Sequence, residues 1–528
     1  MPVIAKKINE KILSLKIAPN DLESFPVLLD AIKEIQGRRY NPTLKTWNVP
    51  NNNITIKQLE KINTLEKINT DVSKEIKKEV IDPNKWKETK LPANTPDYLR
   101  PYQEECLKFL IFNKGRGLIA DPMGAGKTVE SLSWLYTIGD SCPALIITRA
   151  TIKNQWKKAY KQFGGNYNVG VIYGQKPYAL KPNTSYIINW DIIFYWMKEL
   201  ILTKFKTVIA DECQYGGNTK SKRTKAYMKV AKKAKYILPL SGTPIKSCPA
   251  QFFPTLNLLM KEVFNNEWKY KNRYCGPKHN RFGLTFTGAS NIEELHEFIK
   301  LIMLRREKSV ILPNLPSKQI ITVPFEVTIS KDYIEAKNRF KDSVGIAEKI
   351  ELANIKIEAF AMKSDFIVNW IKDFVEITKK LVVYTYHRKV MEFLKEKFKE
   401  NSVYVYGGVA GKQREKAIND FIEKDDINIF FAQLLSVGVG VDGLQQVCSN
   451  CAFVEFADNS TDHDQGEDRL HRSGQKDSVN CYYLIGENTI DEIMIENLDE
   501  KRKVANAVVD GIAAEESFSL TKQLKERM

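Results

Sequence analysis

Asp121-Pro122-Met123-Gly124-Ala125-Gly126-Lys127-Thr128 is the stretch on which the reading of this chain turns. The apolar run Gly117-Leu118-Ile119-Ala120 leads into it, and Val129, Leu132 and Leu135 follow at helical spacing. Strand, glycine-rich turn, Lys-Thr and helix together close backbone N–H groups around phosphate oxygens. Gly124 and Gly126 supply the backbone freedom, and the following helix aims the positive end of its dipole at the same anion. In this reading Met123, Gly124, Ala125 and Gly126 line a phosphate cradle. Lys127 reaches the β- and γ-phosphates of a nucleotide, and the Thr128 hydroxyl ligates Mg²⁺. Asp121 stands where the general pattern has its first glycine.

Working outward, three further segments fit one hydrolytic site. Val208-Ile209-Ala210 ends in Asp211-Glu212-Cys213-Gln214, about 85 residues beyond the glycine-rich loop. Carboxylates at the C-terminal end of a parallel strand lie where such sheets bind ligands. Asp211 is suited to holding Mg²⁺ and Glu212 to acting as general base on water. Leu238-Pro239-Leu240-Ser241-Gly242-Thr243-Pro244 brings the Ser241 and Thr243 hydroxyls, which can sense the γ-phosphate. In the second half, Gln465-Gly466-Glu467-Asp468-Arg469-Leu470-His471-Arg472-Ser473-Gly474-Gln475 predicts a helix on which Arg469 and Arg472 share a face. Two such arginines can complete a triphosphate site from across a cleft.

Apolar runs alternate with amphipathic stretches from 96 to about 320, and again from about 370 through Leu381–Tyr384, Val403–Tyr406, Ile427–Phe431 and Ala452–Phe456. Two series of this kind predict an α/β protein with two doubly wound parallel sheets. The expected organisation is a small α+β module over 1–60, a helical linker over 61–95, lobe one over 96–320 and lobe two over 321–490. Helical insertions are expected near 250–300 and 325–370, and a helical tail over 491–528. Val27, Leu28, Leu29, Ile32 and Ile35 mark a helix in the first module, and Leu59, Ile62, Leu65 and Ile68 a surface helix in the linker.

The chain has 528 residues, with 80 Lys+Arg against 64 Asp+Glu and a net charge of +16. Only 17 of the basic residues are Arg, so the excess is Lys, which by itself says little about partners. No apolar run is long enough for a membrane span, and the charged N-terminal stretch lacks a signal-peptide core. The 8 cysteines show no framework spacing, which predicts an intracellular, non-secreted protein. Cys448 and Cys451 form a lone pair without a second pair at zinc spacing. The basic run from Lys220 to Lys235 is either a solvated face or a phosphate-tracking one, and His463 reads as a surface residue.

Taken together, the motifs resemble the superfamily-two helicases, and more closely the Snf-type (Swi/Snf-like) double-stranded-DNA translocases. Leu99-Arg100-Pro101-Tyr102-Gln103 resembles that family's adenine-reading segment, which implies base contacts from Arg100 and Gln103. Asp121 fits the family's DxxGxGKT form. Met303-Leu304-Arg305-Arg306-Glu307-Lys308, followed by Leu312–Lys318, resembles its LRR…LPxK segment between lobes. Gln465–Gln475 matches its QAxDRxHRxGQ signature, and Ser241–Pro244 its third motif. Gln214 replaces the family's usual His and is expected to bridge to the Ser241 and Thr243 hydroxyls. The resemblance covers about 95–490. It implies two RecA-like lobes with ATP and Mg²⁺ between them, Lys127, Asp211, Glu212, Gln465, Arg469 and Arg472 as the catalytic set, and Gln214, Ser241 and Thr243 as coupling residues. It also implies a monomer acting on double-stranded or branched DNA, with Trp190 either beside the DNA path or in the core.

The stretch Gly37-Arg38-Arg39-Tyr40-Asn41-Pro42…Thr46-Trp47 resembles the HARP-type module of annealing helicases. Arg38, Arg39, Tyr40 and Trp47 are its candidate phosphate and base contacts. The implied task is DNA remodelling by annealing, fork regression or branch migration. A strand-separating DNA or RNA helicase is the alternative, and a non-enzymatic nucleic-acid-binding scaffold a more distant one.

Overall fold

A computed structural model describes residues 3–9, 12–17, 31–41, 46–52, 55–56, 58–59 and 84–510, apart from 166, 246–247, 281–282, 410 and 438–440. Three sheets carry the architecture. The first lobe holds a seven-stranded parallel sheet of order β13-β5-β10-β9-β6-β8-β7. Its strands are β5 (Leu118–Ile119), β6 (Ala144–Thr148), β7 (Asn168–Val171), β8 (Thr184–Asn189), β9 (Thr207–Asp211), β10 (Tyr236–Leu240) and β13 (Met303–Leu304). The second lobe holds a six-stranded parallel sheet of order β14-β19-β18-β15-β17-β16. It comprises β14 (Lys318–Phe325), β15 (Leu381–Thr385), β16 (Ser402–Val405), β17 (Ile429–Gln433), β18 (Asn450–Phe453) and β19 (Val479–Gly486). This is the α/β, two-lobed fold expected from the alternating runs.

The apolar runs read as strands because both faces of each sheet are covered. In lobe one, Leu118, Leu145, Ile147, Ile188 and Val208 enter one core, while Ile119, Ile146, Ile187, Ile209 and Leu238 enter the opposite one. Lobe two repeats the alternation, with Val382, Phe430 and Phe453 on one side and Leu381, Val383, Ile429 and Phe431 on the other. Successive strand residues point to opposite faces, so an unbroken apolar run is what burial on both sides requires.

Between β10 and β13, helices Phe253–Leu259, Glu267–Tyr274 and Ile292–Ile299 and the hairpin β11 (Lys278–Asn280)–β12 (Gly283–Thr285) form the first insertion. After β14, helices Lys331–Asp342 and Ile346–Thr378 pack on each other as the second. The second sheet begins at Lys318, slightly inside the span expected for lobe one.

Strands β1 (Val3–Asn9), β2 (Ile12–Ile17), β3 (Arg39–Asn41) and β4 (Thr46–Pro50) form an antiparallel sheet of order β1-β2-β4-β3. Leu13, Leu15, Ile32, Ile35, Val49, Ile56 and Leu59 are its core. The module docks on lobe one: an Arg39 Nη donates to the Lys261 carbonyl at 3.2 Å. Gly37, at φ +81°, approaches so closely that a Cβ there would lie 3.1 Å from Val263 Cα. The expected helix through Val27–Leu29 and the linker stripe Ile62–Ile68 lie outside the described residues. The described end of the linker carries a short 3₁₀ helix, Lys85–Glu88, whose buried Trp86 packs edge-on against Phe109 at 5.9 Å.

The expected tail is corrected by the structure. Helix Ile490–Asp510 begins in the core of lobe two, through Ile490, Ile493, Met494 and Leu498, and ends with Val508 and Val509 in the core of lobe one. Its Val508 carbonyl meets His296 Nδ1 at 3.2 Å, and Arg502 in its middle holds Asp464 and Glu467, each at 2.9 Å. It is therefore a strut across both lobes; residues 511–528 lie outside the described set.

His463 is likewise not a surface residue. It is fully buried in a stack with Phe453, Phe456 and Tyr483, and its Nε2 accepts the Ala457 N–H at 3.0 Å. Burial, aided by Arg502, draws its pKa from 6.5 down to about 3. The unfolded chain therefore takes up this proton first as pH falls, and stability is lost from about pH 6.5 towards 3, at up to roughly 1.4 kcal/mol per pH unit. Thermal unfolding followed between about pH 7 and pH 5 should show a steeper decline for the wild type than for His463→Gln. Identical slopes would contradict the buried neutral imidazole.

Candidate nucleotide site between the lobes

The glycine-rich loop follows β5, and helix Lys127–Thr137 follows the loop. Gly126 caps that helix at φ +85°, and Gly124 lies at φ +84°, a region that side chains other than glycine rarely occupy. The Lys127 ammonium rests against the carbonyls of Asp121 at 2.7 Å and Pro122 at 3.0 Å. The segment before the first lobe-one helix cups the same loop. The Tyr102 hydroxyl donates to the Ala125 carbonyl at 2.9 Å, and Gln103 Oε1 accepts the Arg100 N–H at 3.1 Å. A Cβ on Gly126 would meet Gln103 Nε2 at 2.7 Å, so that amide would have to move aside.

Asp121 is fully buried, and its carboxylate receives the Arg306 backbone N–H at 3.0 Å together with the Arg306 guanidinium. The same guanidinium reaches Glu130 at 3.1 Å, Glu105 at 3.2 Å and the Tyr102 carbonyl. This explains the departure from glycine at 121: the position anchors an arginine. Burial, then the Asp121 charge, raises the Glu130 pKa to about 8. Arg305 donates to the Ala120 and Gly242 carbonyls, both at 3.1 Å, tying the loop to Ser241–Thr243.

At the end of β9, Asp211 is held by the Thr148 hydroxyl at 2.7 Å and the Trp156 indole at 2.9 Å, both on Oδ2. Burial, then Glu212, raises its pKa to about 6. Glu212 turns out of the strand at φ +52° and accepts the Gln214 amide. Gln214 was expected to bridge to Ser241 and Thr243; here it faces Glu212 instead, and Ser241 Oγ accepts the Thr243 N–H at 3.0 Å. The Gln214 Oε1 and Thr243 Oγ1 atoms are buried without a hydrogen bond.

Lobe two meets this surface with the turn after helix Ser460–Glu467, in which Gln465 is buried. The helix stops short of the arginines, so Arg469 and Arg472 project from an irregular turn and not from a shared helical face. Arg469 is half-buried and donates to the Val441 carbonyl at 3.1 Å, while its buried Nε has no hydrogen-bond partner. Burial and the neighbouring Arg472 lower its pKa to about 10. Arg472 pairs with Asp442 at 3.0 Å, and a Cβ on Gly124 would lie 3.4 Å from the Arg472 Cβ. The phosphate cradle and the arginine turn are thus in contact across the lobes.

Residues of the quoted linker and arginine segments, His471 among them as a hydrogen-bonding support, clasp this contact. Lys308 bonds Asp468 at 2.8 Å and the His471 carbonyl at 2.5 Å, and the His471 ring meets the Pro316 carbonyl at 2.8 Å. Lys318 and Arg502 hold buried Glu467 ionised, at a pKa of about 2, although burial alone would raise it. Beside them lies a cleft of about 340 Å³ bordered by Met123, Gly242, Arg305, Lys308, Asp464 and Asp468. Lys308, Lys318, Glu467, Asp468 and His471 stand in the quoted segments 303–318 and 465–475, while Asp464 and Arg502 lie outside them.

Trp190, a candidate for the DNA path or the core, is buried. Its indole donates to the Asp211 carbonyl at 2.9 Å and packs on Tyr227 at 5.1 Å, so it buttresses β9. In the N-terminal module, Arg39 is used in docking and Arg38 bonds the Ile35 carbonyl at 3.2 Å. Tyr40 is exposed against the ring of Trp47 at 4.9 Å.

Two family models match the chain: the SNF2-related domain over residues 102–365, half of its length, and the Helicase conserved C-terminal domain over 363–474. A Caenorhabditis elegans protein, "SWI/SNF-related matrix-associated actin-dependent regulator of chromatin subfamily A-like protein 1 homolog", is 28% identical over 92% of this chain and 74% of its own. A Drosophila melanogaster protein bearing the same description without "homolog" is 30% identical over 79% of this chain and 57% of its own. The human "DNA annealing helicase and endonuclease ZRANB3" is 27% identical over 79% of this chain and 41% of its own. The chain thus spans about half the length of the last two.

Removing the Arg306 guanidinium leaves Asp121 and Glu130 buried without their cation, which costs about 3–5 kcal/mol. Arg306→Gln should therefore lower the unfolding midpoint of lobe one markedly in urea titrations. Adding Asp121→Asn and Glu130→Gln should recover much of the loss, because no uncompensated charge then remains buried. A midpoint for Arg306→Gln within error of wild type would show the cluster to be inert.

Proposed function

Because the chain belongs to the SNF2-related family, we propose that it hydrolyses ATP between its two lobes and couples each cycle to movement along double-stranded DNA. The observation that carries this reading is the meeting of Gly124 with Arg472 across the lobes, which makes a site that is complete only when both lobes contribute. The unpaired buried Nε of Arg469 supports it further, since an orphaned donor beside the cradle is suited to an anionic oxygen.

In this proposal the backbone N–H groups of Gly124–Thr128 hold the phosphates, Lys127 leaves its two carbonyls for the β- and γ-oxygens, and Arg100 and Gln103 face the base. A Mg²⁺ ion would be held by the Thr128 hydroxyl and the Asp211 carboxylate, hard oxygen donors suited to it, and would neutralise phosphate charge. The Thr148 and Trp156 bonds both fall on Asp211 Oδ2, which directs Oδ1 away from them and fixes the carboxylate. Glu212 takes a proton from the attacking water, aimed by Gln214. Arg469 and Arg472 stabilise charge that grows on the transferring phosphoryl group. Ser241 and Thr243, joined to the linker through Gly242 and Arg305, pass the loss of phosphate to lobe two.

The task proposed for this motor is remodelling of branched DNA, by annealing, fork regression or branch migration. The names of the relatives and the exposed Tyr40–Trp47 pair on the docked N-terminal module support it. Among the described residues no helix is long and apolar enough to cross a membrane.

ATP hydrolysis should rise on adding duplex or forked DNA and fall to background in Lys127→Ala. Arg472→Ala should lower kcat by about 10³-fold or more, with nucleotide affinity far less affected. Stimulation by RNA alone, or wild-type turnover equal to that of Lys127→Ala, would overturn the proposal.

A further inference from the structure

At the β7–β8 end of the first sheet, opposite the β13 end where the chain leaves for lobe two, four aromatic side chains reach solvent. Tyr173 and Tyr178 lie in the loop after β7, and Phe194 and Tyr195 on helix Ile193–Leu202 after β8. Their exposures are 55%, 52%, 36% and 46%, far above those of the rings that build the lobe's core.

Loop and helix are fastened together from beneath. The fully buried Trp196 donates its indole N–H to the Gly174 carbonyl at 2.9 Å and meets the Tyr178 ring edge-on at 4.7 Å. Phe194 and Tyr195 stand at 72° to each other with centroids 5.7 Å apart. A cation lies against these rings. Lys222 Nζ lies 5.3 Å from the Phe194 ring centre, while the buried Lys153, 4.1 Å from that of Tyr173, supports the ring from beneath and donates to the Ile172 carbonyl at 2.8 Å. Lys222 opens helix Lys222–Ala231, which packs along helix Ile193–Leu202, so the basic run noted in the sequence and the aromatic helix form one surface. Lys176, Lys198, Lys220 and Lys225 are exposed around it. Asp191 is engaged by Arg223 at 3.3 Å.

A solvated charged face needs no aromatic rings, and an apolar protein-docking face would not be ringed by lysines. Rings that offer stacking area, set among cations that meet phosphates, suit a nucleic-acid strand whose bases are accessible. An intact duplex keeps its bases stacked inside and presents phosphates alone, so it would use the lysines and leave the rings idle. Resting on the reading of the chain as a DNA motor, we propose that this lobe-one surface holds the unpaired strand of branched or opened DNA, stacking its bases on Phe194, Tyr195 and Tyr178 while Lys222 and its neighbours meet its phosphates.

The test uses the full chain and fluorescence anisotropy with an oligothymidine strand and a blunt duplex of equal length. Phe194→Ala/Tyr195→Ala should weaken single-strand binding by at least about tenfold and change duplex binding by less than about twofold. Phe194→Tyr/Tyr195→Phe, which keeps both rings, should restore single-strand binding. Lys222→Gln should reduce the salt dependence of single-strand affinity. Both double variants should unfold at the wild-type temperature, since the rings are at the surface. Unchanged single-strand affinity, an equal loss on both DNAs, or no rescue by the swapped rings would overturn the proposal. Duplex-stimulated ATP hydrolysis by the same proteins separates the two readings. If the wild type shows none, the motor assignment fails; if it is present while the alanine variant binds single strands normally, only this surface assignment fails.

Discussion

The guanidinium of Arg306 is the point on which the nucleotide site depends. It lies where the chain leaves lobe one, yet it is bonded to the first residue of the glycine-rich loop, to the helix after that loop and to the Tyr102 carbonyl of the segment that cups the loop. A buried charge of this kind adds little net stability over an apolar replacement, but it leaves few alternative arrangements for its partners. Asp121 and Glu130 lie close together in a water-poor space, and burial first, then the Asp121 charge, raise the Glu130 pKa to about 8 even with the guanidinium between them. The arginine thus fixes the loop, the segment that cups it and the interlobe linker as one body.

Two residues further on, Lys308 carries that constraint into lobe two by holding Asp468 and the His471 carbonyl. The turn so gripped bears Arg469 and Arg472. Arg469 stays beside Arg472 even though desolvation and like charge lower its pKa to about 10. On the facing side, Asp211 and Glu212 are two adjacent carboxylates, one of them pushed to about 6. Crowded like charges on each side of a cleft are costly at rest and are relieved by a ligand with charges of both signs. A metal-bound triphosphate is such a ligand, and oriented groups of this type act without reorganising during the reaction.

Much of this was legible in the chain itself. The strands announced themselves as apolar runs because a sheet covered on both faces leaves no polar position. The phosphate loop, the Asp211-Glu212 pair and the arginine segment were readable because their chemistry is local: glycine conformations, a lysine, a strand end. Residues whose role lies in a distant contact were not readable. Nothing around Trp190 distinguishes an indole that supports Asp211 from one that lines a groove. His463 stands in a polar segment, and only the stacking of Tyr483, Phe453 and Phe456 around it removes it from water. Gln214 could bond the Ser241 and Thr243 hydroxyls or the Glu212 carboxylate, and the left-handed turn at Glu212 presents the carboxylate to it.

The amino-acid order alone therefore determined the fold class, the two sheets and the set of candidate phosphate-binding groups, since these follow from residue type and short-range spacing. Tertiary structure decided what joins them: Arg306 to Asp121, Lys308 to Asp468, and helix Ile490–Asp510 to both cores. Such pairings span more than a hundred residues of chain, and any of many lysines and carboxylates could have met. The choice is made by the packing of the lobes, which brings only a few of them within hydrogen-bond reach.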